Sequence, residues 1–95
     1  MSEQQVVNNE AEQRFEIWVG ENVGYIDYKL GVGSINLTHT EVSPALEGKG
    51  ISGKVAAAAL DYARDNNLSV IPSCPYIATY IKRHPEYQSL VKADA

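Results

Sequence analysis

The hydrophobic period of this chain changes from that of a strand to that of a helix across a glycine-rich stretch, EGKGISGKV, at positions 47–55. Upstream, apolar residues recur at every second position, the spacing of a half-buried strand. Phe15, Ile17 and Val19 share one face, and after the turn signal Gly20-Glu21-Asn22 the residues Ile26, Tyr28 and Leu30 share another. A second turn, GVGS, leads into INLTHTEV, in which Ile35 and Leu37 are expected on one face with His39 and Glu41. Pro44, which has no ladder donor, ends that strand. Downstream, Ile51, Val55, Ala59, Tyr62 and Ala63 recur at helical spacing, which predicts a helix from about Gly50 to Asn66 closed by Asn67 and Leu68. SVIP then reads as a short buried strand. Pro75 opens a second helix over YIATYIKRH, which Pro85 stops at His84.

The predicted class is thus α/β: three antiparallel strands, a long helix, a parallel-type return to SVIP and a second, shorter helix. The stretch MSEQQVVNNEAE is polar without a sustained period and is read as a frayed terminus over 1–13, with one domain over 14–95. A net charge of −4 argues against general nucleic-acid binding, which needs a basic face, so any anion site must be local. A single cysteine forms no internal disulfide, and VAAAAL is too short to span a bilayer. No secretory leader is recognised, so the expected compartment is the cytoplasm, with no membrane partner and a monomer or weak dimer as the expected state.

The glycines fit two nucleotide fingerprints on paper. G-x-x-x-x-G-K ends at Lys54, but a P-loop needs Ser or Thr next, to ligate magnesium, and that position is Val55. G-x-G-x-x-G at Gly48, Gly50 and Gly53 expects a parallel βαβ unit with an acidic residue about 20 positions on, where this chain reads VIPSC. Both fail. What they share survives: consecutive backbone N–H groups at a helix N-terminus, uncovered at glycines, form an anion cradle. Lys49 and Lys54 favour that use and Glu47 opposes it; the alternative is a turn that only starts a helix.

VSPALEGKGISGKV resembles the coenzyme-A pyrophosphate loop of the GNAT superfamily of N-acetyltransferases, V-x-P-x-x-[RQ]-x-x-G-x-[GA]. Val42, Pro44 and Gly50 match, while Glu47 and Ser52 depart from the pattern. The chain is more closely similar to minimal single-domain GNAT-like proteins that carry a P-x-C-x-[YFW] segment, here Pro72, Cys74 and Tyr76. The resemblance implies a GNAT-like arrangement with acetyl-coenzyme A or coenzyme A as ligand and no metal. It implies cofactor contacts at Glu41, Val42, Gly48, Lys49, Gly50, Ile51, Ser52, Gly53, Lys54, Cys74, Tyr76 and Tyr80. Acetyl transfer to an unidentified amine is the implied activity; a coenzyme-A binding module without turnover is the alternative.

Three residues are candidates for catalysis. Cys74, just before Pro75, is read either as a small buried hydrophobe or as a thiol activated at a helix N-terminus, and the resemblance places it near the acetyl group. Direct amine attack and an acetyl-cysteine relay both remain open. Tyr80, one turn from Tyr76, is either core packing or, as the resemblance implies, the acid that protonates the departing thiolate. His39, with Glu41, could take a proton from the acceptor or simply bond a neighbour. His84 reads as a helix C-terminal residue favoured by the dipole.

Overall fold

The computed structural model describes residues 5–91. A five-stranded sheet has the order β1 (Val6–Asn9), β2 (Arg14–Val19), β3 (Asn22–Gly31), β4 (Ser34–Val42) and β5 (Ser69–Ile71). The first four strands run antiparallel in sequence, and β5 lies parallel to β4. A short 3-10 turn at Pro44–Leu46 leads to α1 (Ile51–Asp65); after β5 come α2 (Pro75–Arg83) and a second 3-10 turn at Pro85–Leu90.

Both helices cover the same face of the sheet. The inward side chains Phe15, Ile17, Ile26, Tyr28, Ile35, Leu37 and Val70 are buried in one cluster with Ile51, Val55, Ala56, Ala59, Leu60 and Ala63 of α1 and Ile77 and Ile81 of α2. Burying each large aliphatic side chain contributes roughly 1.5–3 kcal/mol. The alanines allow α1 to lie close. Among the described residues no polar or charged side chain is buried in this core, and no helix is long and apolar enough to cross a membrane. The predicted helix boundaries hold to within a residue at each end. Asn67 adopts the left-handed conformation at φ 56°, and Leu68 N donates to Ala63 O at 2.8 Å. At the other end of the chain, Tyr87 Oη donates to Asp61 Oδ1 at 2.8 Å and fastens the last turn to α1.

Two expectations are corrected. The stretch 1–13 is not frayed throughout, because Val6–Asn9 pairs with β2; four antiparallel strands, not three, precede the loop. Val6 packs against the core, and Asn8 Oδ1 accepts a hydrogen bond from Tyr28 Oη at 2.7 Å. An edge strand with so few inward residues leaves almost no period to read. Residues 1–4 lie outside the described residues.

The second correction concerns β4. Its register with β3 shifts between Asp27 and Tyr28: Tyr28 faces Leu37, but Asp27 faces His39, so Thr38 is an extra residue in the ladder. This bulge resets the alternation. Ile35 and Leu37 point inward, yet His39 and Glu41 are exposed on the opposite, open face, while Thr40 and Val42 take the inward positions opposite Ile26 and Gly24. The sequence had placed all four odd-numbered residues together.

Gly24 is required by packing. A Cβ there would lie 2.9 Å from Ile51 Cγ2 at the start of α1. Gly24→Ala is therefore expected to destabilise the fold by about 1–3 kcal/mol through overpacking, read from a urea unfolding midpoint. An unchanged midpoint would mean that Ile51 moves aside freely.

Candidate functional site

The loop leaves the first backbone donors of α1 without side-chain caps. Gly48 and Gly50 hold φ values of 80° and 73°, a region that side chains with a Cβ avoid. Gly50 caps α1, the first helical bond runs from Lys54 N to Gly50 O, and no side chain caps the end. By helix geometry the N–H groups of Ile51, Ser52 and Gly53 are left without an intrahelical acceptor. No acidic residue occupies the first turn, and the helix dipole adds positive potential at the same end. Lys49 and Lys54 are both exposed here, as is Glu47.

A notch opens beside the loop. The pairing of β4 with β5 covers only Ser34–Asn36 against Ser69–Ile71. The chain then turns back, Cys74 N donating to Leu37 O at 2.9 Å, and α2 begins. Past Leu37, where the bulge interrupts the strand, β4 has no partner strand on this side among the described residues. Ser43 N donates to Val23 O, so by the alternation of an antiparallel ladder Glu41 and His39 bond toward β3, whereas the backbone groups of Thr40 and Val42 face the free edge. That edge runs from the glycine loop toward Cys74.

At the inner end, Cys74 is the N-cap of α2, as expected, and is only 5% exposed. Its Sγ lies 3.3 Å from Thr40 Oγ1. Burial restricts reagents in solution, which favours a packing and orienting role over a freely reactive thiol. Thr40 was not foreseen. The signal was present, since apolar Val42 lies out of phase with Ile35 and Leu37.

Tyr80 flanks the other wall. Its Cε2 is 3.9 Å from where a Gly53 Cβ would sit, and its ring stacks on His84 at 3.9 Å and lies 6.1 Å from Tyr76. Burial, then Tyr76, Glu86 and Asp61, push its pKa above the usual phenol value, so it stays protonated through the neutral range. His84 Nδ1 lies 2.8 Å from the Tyr80 backbone oxygen, and since a carbonyl only accepts, that nitrogen carries a proton. On the open face His39 Nε2 lies 2.9 Å from Glu41 Oε1. With Nε2–H donated to the carboxylate, neutral His39 presents Nδ1 as a proton acceptor. The fold thus brings Thr40 to Cys74, with Tyr76 and Tyr80 on the helix that Cys74 caps, and puts the His39–Glu41 pair on the other side of the sheet. Among the described residues no group of His, Cys, Asp and Glu is close enough to hold a metal ion.

The family model described as GCN5-related N-acetyl-transferase matches residues 14–90. Protein NATD1 of Xenopus tropicalis is 38% identical and that of Homo sapiens 39% identical, each over 61 residues that make up 64% of this chain. Those residues cover 56% and 54% of the two relatives, so the chain spans about half the length of the curated relatives it matches. The NMR solution structure of a GCN5-like protein from Staphylococcus aureus superposes with a TM-score of 0.76 at 30% identity, covering 100% of this chain and 94% of that one.

Proposed function

The chain belongs to the GCN5-related N-acetyltransferase family, and from that premise we propose that it moves an acetyl group from acetyl-coenzyme A to an amine. The observation that carries the proposal is the continuity between an uncapped helix N-terminus at Gly50 and a free strand edge from Val42 to Thr40. The pyrophosphate would sit on the amides of Ile51, Ser52 and Gly53, with Gly48 giving close approach and Lys49 and Lys54 adding charge. The pantetheine arm would run along the edge as an added strand, and an edge amide would polarise the thioester carbonyl. Cys74 and Thr40 then border the acetyl group, and Tyr76 and Tyr80 line the far side.

The helix side of the notch is filled by core, so the amine approaches from the open face. There His39, oriented by Glu41, takes the amine proton through Nδ1 as the nitrogen attacks the carbonyl carbon. The carbon–sulfur bond breaks. Tyr80, kept protonated by its surroundings, supplies a proton to the departing thiolate. Glu41 accordingly acts on His39 and not on the cofactor.

The test is incubation with labelled acetyl-coenzyme A and a panel of amines, with amide shifts followed in parallel. Transfer of label, with the largest shifts between Val42 and Val55, is expected. Binding without transfer would make the protein a coenzyme-A binding module, and no shift would end the reading.

A relay through an acetyl-cysteine is the second reading, favoured by the place of Cys74 at a helix N-terminus. Direct transfer predicts no acetyl adduct by mass spectrometry without acceptor, and residual transfer in Cys74→Ala. An adduct that disappears in Cys74→Ala would establish the relay instead.

A further inference from the structure

The open face carries a cavity beside the bulge. It has a volume of about 370 Å³ and is lined by Glu12, Arg14, Asp27, Lys29 and Thr38 among others. Thr38 is the bulge residue itself, its Oγ1 donating to Asp27 O at 3.3 Å, and Asp27 lies directly across the ladder from His39. The cavity therefore lies on the same open face as His39, one cross-strand step from it, on the β3 side of β4.

The charges in this cavity are not equivalent. Arg14 is already neutralised, its Nε 3.1 Å from Asp27 Oδ1 and its guanidinium 3.9 Å above the Tyr25 ring. Lys29, exposed two residues along β3 from Asp27, has no ion-pair partner among the described residues. Two residues of strand span about 7 Å. A flexible lysine can close that distance onto a small molecule whose other end reaches His39.

We infer that this cavity receives the acceptor and that the acceptor is an amino acid, its carboxylate held by Lys29 and its amine directed past Thr38 to His39. The inference rests on the acetyl-transfer reading above. It names a substrate class that the notch alone does not, because a plain alkylamine would leave Lys29 without a counter-charge. Glu12, exposed at the rim, adds a carboxylate that attracts the incoming ammonium, which loses one proton to solvent so that the free amine reaches His39.

The experiment measures kcat/KM for glycine against glycinamide, and for L-phenylalanine against phenethylamine, with the full chain and acetyl-coenzyme A. Because the members of each pair differ in basicity, the ratio is read against Lys29→Gln. Loss of one charge-assisted hydrogen bond is expected to lower kcat/KM for glycine about tenfold in Lys29→Gln and to shrink the glycine to glycinamide ratio by the same factor. Lys29→Arg should restore the ratio. A ratio that Lys29→Gln leaves unchanged would overturn the inference, whatever the rate of transfer. If coenzyme A binds but no amine is acetylated, the transfer reading fails separately, and titration of the coenzyme-A complex with glycine decides the cavity. Saturable amide shifts at Asp27, Lys29 and Thr38 that are lost in Lys29→Gln would keep the amino-acid site; their absence would remove it.

Discussion

Gly50→Val is expected to abolish coenzyme-A binding while the far-ultraviolet circular dichroism stays close to that of the parent. Nothing lies within 4 Å of the position a Cβ would take, so the effect is not a clash. It arises in the backbone. Gly50 sits at φ 73°, and an L-residue there costs about 1–2 kcal/mol, with a β-branched side chain among the worst placed. The chain escapes the strain by leaving the left-handed region, which turns the first N–H groups of α1 away from a common focus. Each hydrogen bond to a charged group contributes about 1.5–3 kcal/mol. Losing all three proposed contacts exceeds about 4 kcal/mol, a thousandfold in affinity. Gly50→Asn, which tolerates the same conformation, should retain part of the binding. Normal calorimetric titration of Gly50→Val would place the cradle elsewhere.

Deletion of Thr38 is expected to cut acetyl transfer at least a hundredfold with little loss of fold, a displacement of reacting groups by about 1 Å being enough for that factor. The reason is geometric. With Thr38 removed, Leu37 still points inward and His39 still points outward, so every buried side chain of the sheet keeps its face. What disappears is the bulge. A regular β4 would run on beside the turn into α2, and the edge amides of Thr40 and Val42 would lose their opening. The loop at Gly48–Gly53 is untouched, so coenzyme A itself should still bind, more weakly. Measurement of transfer and of coenzyme-A affinity on the same variant separates the two. Transfer within a few-fold of the parent would show that the notch does not depend on the bulge.

The parts legible in the sequence are those with a long, uninterrupted period. FEIWV, YIDYKL and the stripe from Ile51 to Ala63 each announced their element, and Asn67 announced the helix end. The parallel return to β5 followed from a helix between two buried strands. Less was legible where one residue changes the phase. In INLTHTEV the eye continues from Ile35 and Leu37 to His39 and Glu41, because all are odd-numbered, and a bulge adds nothing to composition that would mark it. Only Val42, apolar on an even position, betrays the shift. β1 was missed because Asn8 does there, through its bond to Tyr28, what an apolar side chain does elsewhere. Gly24 carried no signal either, since its need for a bare Cα comes from Ile51, far away in the chain. In the site itself, the glycine loop was readable as backbone chemistry, whereas the contact between Thr40 and Cys74 depends on the bulge and could not be read without it.

The bond from Tyr87 to Asp61 has a consequence in alkali. Burial, reinforced by the hydrogen bond to that carboxylate, pushes the Tyr87 pKa from 10.0 up to about 12, so the native state holds this proton more tightly than the unfolded chain does. Stability from the group is complete below pH 10 and declines as the pH rises toward 12, because the unfolded state ionises first. Two like charges would then face each other across the seam between α1 and the segment Pro85–Leu90. Tyrosinate absorbance near 295 nm, followed from pH 9 to 13, should show this phenol ionising late and together with loss of protection in Pro85–Val91. In Asp61→Asn the ionisation should come earlier. Alkali would then loosen the seam that fastens Pro85–Leu90 to α1.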